Sequence, residues 1–164
     1  MRYVIRDHSS PLAREMLIED QHGERVFRVH GPIVRLRDEL RIDDVHGTEQ
    51  AYIKEPLPSD RRTYEIYREG HQRARVTVAA TGYVLDGFDV AVAGGEPLQA
   101  RGGMFGPNVT IAAGGAAAAQ VHWQHRQAIE VDTSAGQDDL LLLATVIAMS
   151  LMTESWSRTV ARNR

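Results

Sequence analysis

The segment from Leu140 to Met152 constrains the fold of this chain most, because its residues are apolar on every side of a helix. Only Thr145 and Ser150 interrupt it, and both side chains are small. A helix without a polar face must be surrounded, either by lipid or by the rest of the protein. A helix of this length rises only about 20 Å, whereas the hydrocarbon core of a bilayer is about 30 Å thick. The segment therefore predicts a buried core helix over residues 138–153, with a membrane anchor as the alternative.

The sequence before this helix alternates apolar and polar residues with a period of two. The clearest example is RARVTV, residues 73–78, in which every second side chain is apolar. Such alternation is typical of antiparallel strands that cover a core with one face. Turn sequences such as His22-Gly23 separate the runs, since glycine tolerates positive φ. The pattern predicts about twelve strands, near residues 2–6, 14–19, 24–30, 38–43, 49–54, 62–68, 71–80, 86–92, 96–101, 108–112, 117–125 and 128–132.

A repeated turn sequence indicates how these strands are arranged. The residues from Ile18 to Gly23 recur as Ile42 to Gly47, and an alternating strand follows each copy. Repeated hairpins build a meander, and closing a meander into a barrel removes its exposed strand edges. A barrel of about twelve strands has a lumen too wide for strand side chains alone to fill, and an apolar helix would fill it. The predicted fold is therefore mostly β, a closed antiparallel barrel of about twelve strands around a central C-terminal hydrophobic helix.

The length of 164 residues is that of a single domain. We expect this domain to span residues 1–157, with residues 158–164 as a flexible basic tail. Ser134 and Gln137 have the spacing of a capping box in front of the helix. The N-terminal sequence MRYVIRDH lacks the apolar segment of a signal peptide, which predicts a cytoplasmic location.

Composition excludes several classes of function. The chain has no cysteine, so disulfides, thiol nucleophiles, iron–sulfur clusters and cysteine zinc sites are excluded. Its formal net charge is −3, so no overall basic field points to nucleic acid. The sequence contains no P-loop, Rossmann, nucleophile-elbow or HExxH motif. We therefore expect no cofactor.

Histidines and carboxylates give no predicted catalytic or metal site. His122 and His125 read as HxxH, but an odd separation on a strand places them on opposite faces. His22 and His46 occupy equivalent positions before glycine, which is typical of turns rather than of ligands. A catalytic carboxylate pair needs two groups that converge on one pocket with separated pKa values. The sequence indicates no such convergence among its acids.

Five segments resemble the LURP-one-related family in their order and spacing. They are Met1–Arg6, Arg35–Ile42, Asp44–Lys54, Thr63–Tyr67 and Leu140–Ala148. The resemblance implies a tubby-like fold, in which a twelve-stranded barrel surrounds a central C-terminal helix, related to the phospholipid scramblase barrel. It implies no catalytic residue for this chain.

The same resemblance implies only a general link to membrane lipids. Related tubby domains bind phosphoinositide head groups through basic residues, but no such motif matches this chain position by position. The chain departs from the family between Gly94 and Gln127, where aromatic strand positions are replaced by glycine and alanine. Closure of the barrel on that side is therefore left open by the sequence.

Arginine supplies the one binding site that the sequence predicts. Two loops at corresponding points of consecutive hairpins carry Arg35, Arg37, Arg61 and Arg62. If these loops meet at one end of the barrel, the guanidinium groups can hold a phosphate in bidentate fashion. The alternative is that they are exposed charges that keep the loops soluble. Nearby acids, Asp38, Glu39 and Asp60, neutralise part of any such patch.

We therefore predict a non-enzymatic binding protein that recognises an anionic lipid head group or phosphate. One alternative is a protein-interaction scaffold without a small-molecule ligand, and another is an enzyme of an unrecognised class. The expected partners are an anionic phospholipid or a protein, with no nucleic acid and no transmembrane segment. If the protein is a lipid-binding module, we expect a basic rim. If it is a scaffold, we expect an exposed apolar patch, and if it is an enzyme, a pocket that contains titratable groups with strongly perturbed pKa values. Neither the ligand nor the oligomeric state follows from the sequence.

Overall fold

The computed structural model describes residues 1–32, 37–57, 62–81, 84–102, 107–124 and 128–162, apart from the side chains at 156, 159 and 160. This part of the chain forms twelve strands and one helix. The strands are β1 (Arg2–Asp7), β2 (Ala13–Glu19), β3 (Arg25–Pro32), β4 (Glu39–Asp44), β5 (Glu49–Lys54), β6 (Thr63–Arg68), β7 (His71–Thr81), β8 (Val84–Val92), β9 (Leu98–Gly102), β10 (Asn108–Ala113), β11 (Ala116–Gln124) and β12 (Ala128–Thr133). The helix, α1, extends from Asp139 to Arg162.

The sheet is a meander that closes on itself. Each strand pairs with its neighbours in the sequence, and β1 pairs antiparallel with β12. The closing register places Tyr3 opposite Val131 and Ile5 opposite Ile129. Closure removes the unpaired edges that an open meander would present. The predicted fold class, a closed antiparallel barrel of about twelve strands with a C-terminal helix, is confirmed.

The barrel interior is apolar because alternate residues of each strand point inward. Inward side chains such as Ile18, Ile42 and Ile66 have no solvent exposure. Every residue of α1 from Leu140 to Met149 is buried as well. The helix therefore lies inside the barrel, as its all-apolar sequence predicts. Within the described residues, no helix combines the length and the apolar character that a membrane crossing requires.

The glycine- and alanine-rich part of the chain also joins the sheet. β9, β10 and β11 pair in sequence between β8 and β12. Backbone hydrogen bonds hold such strands together, and these bonds do not require large side chains. Ala100, Ala118 and Ala119 are buried inside the barrel. The barrel therefore closes on the side that the sequence left open.

The start of α1 differs from the prediction in its capping residue. The Asp138 carboxylate accepts the backbone N–H of Leu141 at 3.1 Å, so Asp138 is the N-cap. The Ser134 hydroxyl donates to the Ala117 carbonyl at 2.7 Å and ties the preceding loop to β11. The predicted capping box at Ser134 and Gln137 is therefore wrong. A carboxylate directly before the helix satisfies the free N–H groups and also suits the helix dipole.

α1 is longer than predicted. It continues past Thr153 to Arg162, so residues 158–162, expected in a flexible tail, are helical. Glu154 and Arg158 lie one turn apart and form an ion pair at 3.1 Å that supports the exposed turns. Helical hydrogen bonds do not depend on burial. The apolar run therefore marks where the helix leaves the barrel, not where it ends.

The repeated turn sequence folds the same way in both copies. The Asp20 carboxylate accepts the backbone N–H groups of His22 and Glu24 at 2.8 and 3.0 Å. Asp44 accepts two N–H groups at the equivalent positions and at the same distances. The hydrogen bond from the Thr48 N–H is the main cause that lowers the pKa of Asp44. Both histidines of the repeat therefore belong to turns held by aspartate.

Candidate functional site

The helix occupies the space that a ligand takes in an open barrel. Buried side chains of α1, such as Leu143 and Ile147, belong to one hydrophobic core with the inward residues of the strands. Binding is therefore expected on the outer surface of the barrel or at its two ends.

The two ends of the barrel are defined by α1. At the helix-start end, Asp139 of the first helical turn accepts the Tyr3 hydroxyl at 2.7 Å. At the helix-exit end, Glu154 of α1 lies 3.4 Å from the Arg14 guanidinium. Because the strands alternate in direction, even-numbered strands end at the helix-start end and odd-numbered strands at the helix-exit end.

The connecting segments at the helix-start end are acidic. They comprise residues 20–24, 45–48, 69–70, 93–97, 114–115 and 134–138, all of which the structure describes. Their charged side chains are Asp20, Glu24, Glu69, Glu96 and Asp138. Asp138 pairs with Arg68 of β6 at 2.7 Å, and the ammonium group of Met1 donates to the Thr133 carbonyl at 2.9 Å. The connecting segments themselves therefore have a net negative charge, which disfavours binding of an anion to them.

The helix-exit end has a different balance of charge. The described residues there include the bases Arg14, Arg37, Arg62, Arg158 and Arg162 and the acids Asp7, Asp38, Glu39, Glu55 and Glu154. Two of the four predicted site residues, Arg35 and Arg61, lie outside the described residues. The other two, Arg37 and Arg62, are at the same end of the barrel.

Arg37 and Arg62 stand just before two strands that are separated by β5. Arg37 precedes β4 and Arg62 precedes β6. Neighbouring strands are about 4.8 Å apart, so the two backbones lie roughly 10 Å apart. Arg37 forms an ion pair with Glu39 at 2.7 Å and keeps 30% of its side chain exposed. Arg62 is exposed, and its carbonyl accepts the Val78 N–H at 2.9 Å.

A partly buried hydrogen bond joins the starts of these two strands. The Tyr64 hydroxyl donates to the Asp38 carboxylate at 2.5 Å, and Tyr64 is only 1% exposed. Glu55 is buried, and its N–H donates to the Asp38 carbonyl at 3.0 Å. Burial, followed by the charge of Asp38, raises the pKa of Tyr64. The tyrosine therefore stays protonated and fixes the backbone that carries Arg37 and Arg62.

Arg14 ties β2 to the helix at the same end. Its side chain is 13% exposed and lies 3.4 Å from Glu154. Its buried Nε has no hydrogen-bond partner within the part of the chain that the structure describes. The positive charge of Arg14 opposes the rise in the pKa of Tyr64. These contacts hold the exit of α1 against the barrel wall.

Sequence reasoning missed Arg14 and Tyr64. Tyr64 and Asp38 are 26 positions apart, and only the register of β4, β5 and β6 brings them together. The alternation of apolar and polar residues did indicate that Tyr64 points inward. A buried tyrosine hydroxyl usually needs a hydrogen-bond partner, so the sequence indicated that such a partner exists. Nothing in the spacing identified Asp38 as that partner.

The other side chains considered for chemistry make structural contacts. His122 Nδ1 lies 2.6 Å from the Asn108 side-chain oxygen, whereas His125 is outside the described residues. Asp43 is buried and lies 2.7 Å from His30 Nε2. Among the described residues, no group of three or more histidine or acidic side chains is arranged to hold a metal ion.

Comparison with known proteins identifies one family and one fold. A family model described as LURP-one-related matches residues 1–150. No curated protein matches the chain. The X-ray structure of a protein from Arabidopsis thaliana is similar with a TM-score of 0.62 and 16% sequence identity, over 90% of this chain and 88% of that chain. At this level of identity the likeness shows the fold alone.

Proposed function

The chain belongs to the LURP-one-related family, and from that premise we propose a non-enzymatic binding protein that holds an anionic phosphate group at the helix-exit end. The phosphate belongs either to a lipid head group or to a free phosphate compound. One observation carries the proposal, the contrast between the two ends. The connections at the helix-start end carry only acidic charges, whereas Arg37 and Arg62 lead into two nearby strands at the other end.

The arrangement of the two arginines supports binding of one anionic group. Their backbones are roughly 10 Å apart, a gap that two extended guanidinium side chains can span. A guanidinium has five N–H donors, so the contact between Arg37 and Glu39 leaves further donors on Arg37. The hydrogen bond from Tyr64 to Asp38 holds both strand starts in place before a ligand arrives. Such preorganisation lowers the entropic cost of binding.

The titratable side chains at the helix-exit end support a binding role without catalysis. A catalytic base must give and take a proton near the working pH. Burial and Asp38 raise the pKa of Tyr64, which makes its hydroxyl a hydrogen-bond donor instead. Glu39 and Glu154 are engaged with Arg37 and Arg14, so these carboxylates serve as partners of arginine.

The test is binding to anionic vesicles at low and physiological salt. The double variant Arg37→Gln/Arg62→Gln keeps size and polarity and removes two charges. Each arginine near an anionic membrane contributes about 1 kcal/mol, so binding should weaken roughly thirtyfold. The control Arg25→Gln/Arg73→Gln removes two charges from exposed arginines of β3 and β7 near the helix-start end and should bind like the wild type.

Two results would refute this proposal. One is the absence of binding by the wild-type protein to both anionic vesicles and soluble phosphate compounds at low salt. The other is equal loss of binding in both double variants, which would mean that only net charge matters. Binding should also fall as salt rises, because exposed charges are screened within about 8 Å at physiological ionic strength.

A protein-interaction scaffold is the second candidate function, and the outer groove between β5 and β6 favours it. Tyr52 and Tyr67 face each other across these strands, and Lys54 Nζ lies 4.9 Å from the centre of the Tyr67 ring. The groove also includes Glu49 and Glu69. Tyrosine is enriched at protein interfaces. If this groove is the binding surface, Tyr67→Ala should abolish capture of a protein partner and leave vesicle binding unchanged.

A further inference from the structure

The helix-exit end carries exposed apolar side chains as well as arginines. Leu12, Leu57 and Val84 are 78%, 61% and 64% exposed. They lie on three separate parts of the rim, between β1 and β2, after β5 and at the start of β8. At the helix-start end, Val45 and the N-terminal Met1 are comparably exposed, at 60% and 56%. Among the described residues, three of the five exposed large apolar side chains therefore lie at the end of the proposed arginine site.

The local backbone holds two of these side chains outward. The Ser10 hydroxyl accepts the N–H groups of Leu12 and Ala13 at 3.3 and 3.2 Å, which fixes the turn that presents Leu12. Val84 is the first residue of β8 and is paired with Thr81 of β7. Exposure of these apolar groups is therefore built into the fold, at a cost of apolar surface left in water.

We infer that the helix-exit end docks on the surface of an anionic membrane, with Leu12, Leu57 and Val84 inserted among the head groups. This inference rests on the proposed function and names the lipid head group as the source of the phosphate. Arg37 and Arg62 contact lipid phosphates while the apolar side chains enter the interface. Interfacial binding combines these two terms, buried apolar area and attraction to anionic lipid.

The distribution of these residues favours a membrane over a protein partner. The core of a protein interface is a contiguous, well-packed apolar patch. Among the described residues of this end, single apolar side chains are spread around the rim and separated by charged residues such as Arg37, Asp38 and Arg62. A fluid lipid surface accepts such dispersed insertions because its head groups rearrange around each one. The exposed Arg158 and Arg162 on the emerging turns of α1 add positive charge at the same end.

The absence of cysteine allows a direct measurement of insertion. Single variants Leu12→Cys, Leu57→Cys, Val84→Cys and Val45→Cys are each labelled with an environment-sensitive fluorophore. Vesicles of phosphatidylcholine with phosphatidylserine are then added at low salt. Emission should shift to the blue and increase for the three helix-exit labels and stay unchanged for the label at position 45. Equal responses at all four positions, or no response at the helix-exit positions, would overturn the inference.

A second measurement uses unlabelled variants. Leu12→Ser/Leu57→Ser should weaken co-sedimentation with these vesicles by roughly tenfold to a hundredfold, since two leucines no longer leave water. Val45→Ser is the matched control and should bind like the wild type. Both variants change exposed residues, and their urea unfolding midpoints should match that of the wild type, which confirms that they fold.

The outcomes separate this inference from the proposed function. If wild-type protein binds the vesicles and the double serine variant binds equally well, insertion is wrong and the arginine site stands. If the protein binds inositol phosphates but no vesicle, a soluble phosphate ligand replaces the membrane and the docking inference fails. If it binds neither, both are wrong. If the wild-type protein binds no vesicle but captures a protein partner, and the double serine variant does not capture it, the surface binds a protein and the docking inference is wrong.

Discussion

The two ends of the barrel are built from the same hairpins but use their charged side chains differently. At the helix-start end, acidic side chains complete the fold, since Asp20 and Asp44 hold turns and Asp138 caps α1. At the helix-exit end, Arg37 and Arg62 lie on a rim with exposed apolar residues. At one end the aspartates therefore stabilise turns and the helix start, and at the other end lie the residues that we propose for binding.

The contrast between the two ends requires that both belong to one barrel filled by α1. A charge buried in the helix would unfold that barrel. Val146 has no solvent exposure. Val146→Asp would bury an unpaired carboxylate at a cost of several kcal/mol, against a total stability of about 5–15 kcal/mol. We expect an unfolded or insoluble protein by circular dichroism and solubility. Ser157→Asp, on the exposed part of α1, should fold normally; equal tolerance of both changes would contradict the buried helix.

Much of the barrel was predictable from sequence because its signals are local. Alternation over residues 73–78 reflects one buried face, and the repeat from Ile18 to Gly47 reflects two equivalent turns. The end of α1 at Arg162 was missed, because burial stops near Thr153 while helical hydrogen bonding continues. Periodicity reports burial and contains no information on such exposed turns.

The candidate site was less predictable because it depends on contacts between distant segments. The sequence suggested that Arg37 and Arg62 share a barrel end, and the closed meander places them there. The sequence did not reveal the hydrogen bond from Tyr64 to Asp38, which spans β5 and fixes the backbone next to both arginines. The exposure of Leu12 and Val84 was also hidden, since an apolar residue in a loop sequence does not indicate whether it packs or faces water.

Removing the hydrogen bond between Tyr64 and Asp38 at the helix-exit end should have the next largest effect on stability. Tyr64→Phe deletes a buried donor to a carboxylate and should lower the free energy of unfolding by about 1–3 kcal/mol. Tyr3→Phe deletes the corresponding bond to Asp139 at the helix-start end, where the helix dipole still stabilises the aspartate. Its effect should be smaller in urea unfolding. A larger effect for Tyr3→Phe would contradict the importance given to Tyr64.

The stability of the protein at high pH tests the same hydrogen bond of Tyr64. Burial raises the pKa of Tyr64 above the usual value of about 10. The folded state therefore favours the protonated hydroxyl, whose contribution is complete below about pH 10 and is lost as pH rises through the higher pKa of the folded state. Tyr64→Phe should lose stability less steeply than wild type above pH 10. Parallel curves for the two proteins would show that Tyr64 ionises equally in both states.

The smallest expected effect concerns the acidic turns of the helix-start end. Backbone N–H donors, chiefly that of Thr48, lower the pKa of Asp44. Its stabilising contribution is therefore present above the unfolded pKa of about 3.9 and is lost as pH falls through the lower pKa of the folded state. Asp44→Asn keeps an acceptor oxygen and should be slightly less stable at pH 7, with the difference vanishing in acid. A difference between Asp44→Asn and wild type that stays the same from pH 7 into acid would contradict a role for the Asp44 charge.

The most direct test of the contrast between the ends is a footprint on the wild-type protein. Amide hydrogen exchange is measured with anionic vesicles, with neutral vesicles and without lipid. We expect anionic vesicles to slow exchange in peptides that contain Leu12, Leu57 and Arg62, and to leave those that contain residues 20–24 and 45–48 unchanged. Protection at the helix-start end, or uniform protection at both ends, would contradict the assignment of binding to the helix-exit end.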